Sequence, residues 1–287
     1  MIVKDQGKLH LGYEGSHLYK KDGRYYLFTC HIPAYGTERK TQDCFLADSL
    51  EGEFRGRCII DDDMCYHNLG VAQGGMVDTP WGDWYLFMFH DRGALGRLPM
   101  IMPVHFDADG YPVIGESGKV PESVSIESTR PDYEYSPLNG DDDFIYQPDK
   151  KGRVYLKPFW QFNHNPIDAL WSVTERPGAL RIYTGELCDS PVLAHNVLTQ
   201  RCSGPESAAW VTIDGSEMKD GDYAGISAWI GCYGAIALTK EKGKHYLVMY
   251  GKPAQDETLH ADKDFLEPPV EYERIAIDSS CVTLKVH

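Results

Sequence analysis

Three places in this sequence gather side chains able to exchange protons or hold ions. At the first, Glu14 stands beside Gly15 and close to His17, at the start of a strand that should otherwise be apolar. A carboxylate there is either paired for structural reasons or placed to exchange a proton. Strand alternation puts residues i and i+2 on one face, so His17 should not share the face of Glu14 unless a bulge intervenes. The second place is Asp61-Asp62-Asp63. Three adjacent acids on an extended chain point in alternating directions and cannot all converge on one ligand, so a solvated turn is expected. The third is Asp141-Asp142-Asp143, which offers hard oxygen donors for calcium but reads more simply as a charged linker end. The eleven histidines show no His-x-x-x-His spacing and the eight cysteines no Cys-x-x-Cys pair. The common zinc motifs are therefore excluded, and no metal ligand is assigned. Gly74-Gly75 is not a phosphate loop, because no lysine and helix follow it.

The elements that must position these groups are β-strands. Asp22-Gly23 is a two-residue turn of the kind that needs positive φ, flanked by alternating aromatic and aliphatic residues, and predicts a hairpin. Gly23-Arg24-Tyr25-Tyr26-Leu27-Phe28 returns 59 positions later as Gly82-Asp83-Trp84-Tyr85-Leu86-Phe87. A long-period repeat of a hairpin unit is the signature of a β-propeller built from four-stranded blades. About two such units are legible here, whereas propellers close with about four to eight blades. Thr41-Gln42-Asp43-Cys44-Phe45-Leu46 reads as the outer strand of a blade, with residues 49–54 as the turn after it. A short strand-like piece is expected within residues 1–12. Gly115-Glu116-Ser117-Gly118-Lys119-Val120-Pro121 opens a stretch rich in Ser, Glu, Pro and Gly that reads as a linker. Beyond it, short alternating strands at turn-punctuated intervals, with a hairpin at Glu241-Lys242-Gly243-Lys244, predict a β-sandwich. The expected division is residues 1–120 as propeller blades, 121–140 as linker and 141–287 as the sandwich.

Glu14-Gly15-Ser16-His17-Leu18-Tyr19-Lys20-Lys21-Asp22-Gly23, followed after one residue by Tyr25-Tyr26-Leu27, resembles the general-acid segment of glycoside hydrolase family 43. This is the β-xylosidase and α-L-arabinofuranosidase family. It usually shows Glu-Gly-Pro-His, so Ser16 is a departure. Gly74 to Tyr85, Asp91 to Met100 and Pro103 to Val113 are similar to the last blade of that family, and the segments from Trp160 onward to its concanavalin A-like sandwich. The resemblance implies an all-β chain: the last blades of a five-bladed propeller, then the sandwich, truncated at its C-terminus. It assigns Glu14 the donation of a proton to the leaving glycosidic oxygen. It places Arg97 in the sugar site, a role suited to a permanently charged planar fork that holds a carboxylate in fixed geometry. Without the resemblance, Arg97 reads as a surface residue in a Gly-flanked loop. Gln73 stands where many members have a histidine near a central water or metal site, and glutamine is the poorer metal ligand.

Inverting hydrolysis uses two carboxyls about 6.5–9.5 Å apart, one protonated and one ionised to activate water. By resemblance, the base and the aspartate that tunes the acid lie on earlier blades, so the chain is expected to be a fragment. The chemistry requires no cofactor, and a structural calcium is the one ion considered.

Composition bounds the partners. A net charge of −15 argues against nucleic acid and anionic membranes. Aromatics at 12%, with 18 Tyr and 6 Trp, suit both half-buried strands and stacking on sugar rings, so the expected partner is an oligosaccharide. No apolar run is long enough to span a bilayer and no signal-like segment opens the sequence. Scattered cysteines inside apolar patterns, such as Cys30 and Cys232, point to a reducing, cytoplasmic setting. Two alternatives stand beside the xylose- or arabinose-releasing enzyme. One is a non-catalytic sugar-binding or scaffold remnant. The other is a related propeller hydrolase acting on fructan or arabinan.

Overall fold

The computed structural model describes residues 3–4, 10–115, 118–230, 232–253 and 268–287. Most of the strand-like piece expected within residues 1–12, and Glu116-Ser117 of the expected linker, lie outside the described residues. The chain forms two compact units, Met1–Pro131 and Asp132–His287.

The first unit holds two four-stranded antiparallel sheets, each a meander. One comprises β1 (Leu11–Lys21), β2 (Arg24–Ile32), β3 (Thr41–Ala47) and β4 (Arg55–Ile60). The other comprises β5 (Val71–Asp78), β6 (Trp84–Asp91), β7 (Arg97–Phe106) and β8 (Pro112–Ile114). The β1–β2 hairpin turns at Asp22 and Gly23 with φ of 50° and 81°, the positive values that a two-residue turn matched to strand twist requires. The 59-residue echo falls on β2 and β6, the second strand of each blade.

Register explains the core. Phe28 lies opposite Cys44 and Tyr26 opposite Leu46, so these side chains share one face of the first blade. They pack with Val71, Met76, Leu86, Met88 and Met102 of the second blade in one buried cluster. Each such side chain withdrawn from water contributes about 1.5–3 kcal/mol.

Two expectations are corrected here. The strand beginning at Thr41 is not the outer one: β3 is the third strand, paired on both sides and buried along its whole length, and β4 forms the edge. Pairing on both edges and packing on both faces explains its lack of alternation. The Asp61-Asp62-Asp63 run is likewise no solvated turn. Asp62 is buried and accepts hydrogen bonds from the backbone N–H of Met64 and of Val120, at 3.0 and 2.9 Å. Asp61 and Asp63 both clamp Arg39, at 2.6 and 3.1 Å.

The second unit begins with short pairs. β9 (Gln161–Phe162) pairs with β12 (Leu198–Thr199), and β10 (Trp171–Ser172) with β11 (Arg181–Ile182). β13 (Ala209–Asp214) pairs with β18 (Cys281–Val286). A four-stranded sheet runs β14 (Tyr223–Trp229), β15 (Tyr233–Glu241), β16 (Lys244–Lys252), β17 (Val270–Ile277). The expected hairpin turns at Lys242 and Gly243, with φ of 49° and 77°.

Candidate active site

Glu14 sits half-buried on β1, and the register of β1 against β2 breaks on both sides of it, before Glu14 and again before His17. The bulge that would be needed to re-aim His17 is therefore present. His17 is exposed and stacks with Tyr19 at 6.4 Å between ring centroids. Gly15 supplies the kink at φ 60°, in the left-handed region glycine enters without a Cβ penalty. The backbone of Glu14 is tied down from β2, where Thr29 Oγ1 donates to its carbonyl at 2.7 Å. Cys30, its cross-strand partner, is fully buried, with Sγ 3.7 Å from the Glu14 carbonyl and 4.0 Å from Oε1.

Gln73 comes from the second blade to cover this kink. β5 carries its own register break between Ala72 and Gly75, with Gln73 in the break at φ 62°. The Gln73 side chain lies over Gly15, so a Cβ at Gly15 would stand 2.6 Å from its Cγ. Its N–H donates to Gln42 Oε1 at 2.7 Å, while its own Oε1 is buried with no hydrogen-bond partner among the described residues. The register breaks of β1 and β5 thus meet where Gln73 lies over Gly15, the chain neighbour of Glu14. Bulges of this sort re-aim side chains at functional sites.

Arg97 begins β7, just after a 3-10 turn at Gly93–Leu95, rather than lying in a loop. Its side chain is 57% exposed, and Nε donates to Asp91 Oδ1 at 3.3 Å. Its guanidinium lies 4.3 Å from the Phe89 ring centroid. Lys40, a buried residue, reaches the other Asp91 oxygen at 3.3 Å and the same ring at 5.1 Å. Asp91 therefore joins two cations across one aromatic ring. The Cys30 thiol reports this neighbourhood: burial pushes it up to about 11, the charge of Glu14 adds to the rise, and Lys40 and Arg97 oppose it.

Asp43 faces the other way from Gln42, as strand alternation requires. It accepts from the Tyr13 hydroxyl at 3.0 Å and lies 3.7 Å from His31 Nε2, while Tyr13 and His31 stack at 4.6 Å.

Among the described residues no group of three or more His, Cys, Asp and Glu side chains is arranged to hold a metal ion. Asp142, in the second unit, is filled by protein donors. It accepts from the Tyr146 hydroxyl, from Trp160 Nε1 at 2.7 Å and from the Phe144 N–H at 2.9 Å, and it pairs with Lys157 at 3.2 Å. Those donors do not fit a calcium ligand.

Sequence reasoning singled out Glu14, Gln73 and Arg97 and passed over Cys30, Lys40, Gln42, Phe89 and Asp91. Lys40 stands in the polar run Glu38-Arg39-Lys40-Thr41-Gln42-Asp43, which carries no signal that the lysine is buried and therefore needs a partner.

The family model of the β-xylosidase C-terminal concanavalin A-like domain, GH43_C2, matches residues 153–285. A curated β-xylosidase of Formosa agariphila is 26% identical over 90% of this chain and 49% of its own length. A solved structure described as a bifunctional GH43-CE protein of Bacteroides eggerthii is 38% identical, with a TM-score of 0.76, over 96% of this chain and 32% of that one. The GH43 protein BlXynB of Bacillus licheniformis shares the fold at 24% identity and a TM-score of 0.74, over 99% of this chain and 53% of its own. The chain spans about half the length of the curated relatives it matches. Residues 153–285 match the concanavalin A-like β-sandwich of glycoside hydrolase family 43, and the whole chain, propeller blades followed by sandwich, is similar to proteins of that family.

Proposed function

We propose that this chain carries the proton-donating side of an inverting glycosidase that acts on xylose- or arabinose-containing oligosaccharides. Glu14 is the general acid. It gives its proton to the glycosidic oxygen as the bond to the anomeric carbon breaks, so the leaving sugar departs as a neutral alcohol. A second carboxylate, contributed by another blade, removes a proton from the water that attacks the opposite face. Gln73 lines the sugar site from its place over Gly15. Arg97, held by Asp91 and Phe89, presents a permanent positive charge to the same region. No step of this chemistry draws on a metal or a cofactor.

One observation carries the reading: a half-buried glutamate on a strand whose register breaks on both sides of it, with a glutamine from the neighbouring blade lying over the glycine that follows it. The relatives supply the substrate class, being named β-xylosidase and non-reducing end α-L-arabinofuranosidase.

The test is the anomer released first by the intact protein. Proton NMR of xylobiose turnover should show α-xylose accumulating before mutarotation. Initial release of the β-anomer, or no turnover of any xylo- or arabino-oligosaccharide, would refute the reading.

A further inference from the structure

Gln42 is wholly buried as the second residue of β3. Its carboxamide makes three hydrogen bonds. Oε1 accepts from the Gln73 N–H at 2.7 Å, and Nε2 donates to the carbonyls of Thr29 and Asp43 at 3.0 and 3.3 Å. These partners fix the orientation of the amide: turned over, its NH2 would face another N–H and its oxygen two carbonyls. Register sets Gln42 opposite Cys30, and Cys30 opposite Glu14, so the three form one row across the first blade. From that row Gln42 reaches across to the bulge of β5.

Gln73 holds φ 62°, a conformation that a non-glycine residue keeps only where its surroundings over-determine it. Its N–H, displaced from the β5–β6 ladder by the bulge, is satisfied by Gln42 Oε1. The Gln73 side chain in turn occupies the space over Gly15, next to Glu14.

We propose that Gln42 is a positioning residue for the proton donor: it holds the Gln73 bulge, and Gln73 fixes where Gly15 and Glu14 stand. This rests on the assignment of Glu14 as the acid. Gln42 touches no substrate; it acts through Gln73.

The variants Gln42→Met and Gln42→Glu, made in the intact protein, test this. Methionine fills the space and removes all three bonds. A protonated glutamate reproduces the acceptor toward Gln73 and a donor toward Thr29. An ionised one sets a negative charge against two carbonyls. Gln42→Met should lower kcat about tenfold or more at every pH, with KM changed far less, because misplacement of the reacting group is costly even at a distance. Gln42→Glu should approach the parent at acidic pH and fall to the level of Gln42→Met as its carboxyl ionises, adding a descending limb that the parent lacks. A merely space-filling role for Gln42 would not generate that limb. If Gln42→Met fails to fold, the pH profile of Gln42→Glu decides.

Hydrogen exchange of the peptide spanning residues 71–76, followed by mass spectrometry in the same samples, should be faster in the variants that lose the bond. Parental kcat, pH profile and exchange in both variants would overturn the proposal. The exchange readout needs no catalysis, so it stays decisive for Gln42 even if Glu14→Gln proves fully active and the acid assignment fails.

Discussion

A methyl group placed on Gly15 would stand 2.6 Å from Cγ of Gln73, and Gly15 itself holds φ 60°. Two blades thus meet at a point where neither the backbone conformation nor the space admits a side chain. The kink that aims Glu14 depends on that meeting.

Gly15→Ala should therefore cost about 1–3 kcal/mol through the left-handed backbone alone, before Gln73 is displaced. Urea denaturation would show the lower stability, and turnover by the intact protein should fall with it. A variant as stable and as active as the parent would mean that the kink does not hold Glu14.

Asp62 ties the segment at Val120 to the blade. Burial pushes its carboxyl up, but the N–H groups of Val120 and Met64 and the nearby Lys119 outweigh burial and hold it below its ordinary value. A carboxyl lowered by folding stabilises the protein above its unfolded pKa, and that contribution is lost as pH falls through the folded value. The benefit is complete at neutral pH and declines below about pH 4. Asp62→Asn should cost about 1–3 kcal/mol at pH 7, and the gap to the parent should close on acidification. A constant gap down to about pH 3 would contradict this origin.

Asp142 plays a comparable part in the second unit, where its side chain is 1% exposed. Burial raises its carboxyl, yet Tyr146, the Phe144 N–H, Trp160 and Lys157 together bring it below the usual range. Asp142→Asn turns an amide NH2 toward these donors and should destabilise by about 1.5–3 kcal/mol. Calcium should leave the melting temperature of the parent unchanged; a calcium-dependent rise lost in the variant would show that Asp142 is a ligand.

Thiol accessibility separates the cysteines. Cys30 and Cys44 are fully buried, and burial pushes them up to about 11 and about 12, with Glu14 and Asp43 respectively adding to the rise. The thiolate is the reactive form. Iodoacetamide under native conditions should modify the exposed Cys65, Cys202 and Cys281 and spare Cys30 and Cys44. Rapid labelling of Cys30 would mean that the row from Glu14 to Gln42 is open to solvent.

The hairpins and the blade repeat were legible because their determinants are local. Asp22-Gly23 and Lys242-Gly243 need only positive φ and flanking alternation, and the echo between β2 and β6 needs only matching runs. The position of β3 was not legible, because its run Thr41-Gln42-Asp43-Cys44-Phe45-Leu46-Ala47 gives no alternation and its polar start hides that both faces are buried. Glu14 stood out as an acid in an apolar strand. Gln42, Lys40 and Asp91 did not, because their partners lie 31 and 51 residues away on another blade and no spacing rule encodes such a meeting. The bulges at Glu14 and Gln73 were hidden for the same reason.

The central claim is that Glu14 gives up a proton to a departing sugar. In the intact protein, Glu14→Gln should reduce turnover of unsubstituted xylo-oligosaccharides by about 10²–10⁴-fold, the usual worth of general acid assistance. On aryl glycosides with strongly acidic phenol leaving groups it should remain far more active, because those oxygens need little protonation. Equal loss on both substrate classes, or no loss on either, would contradict the account.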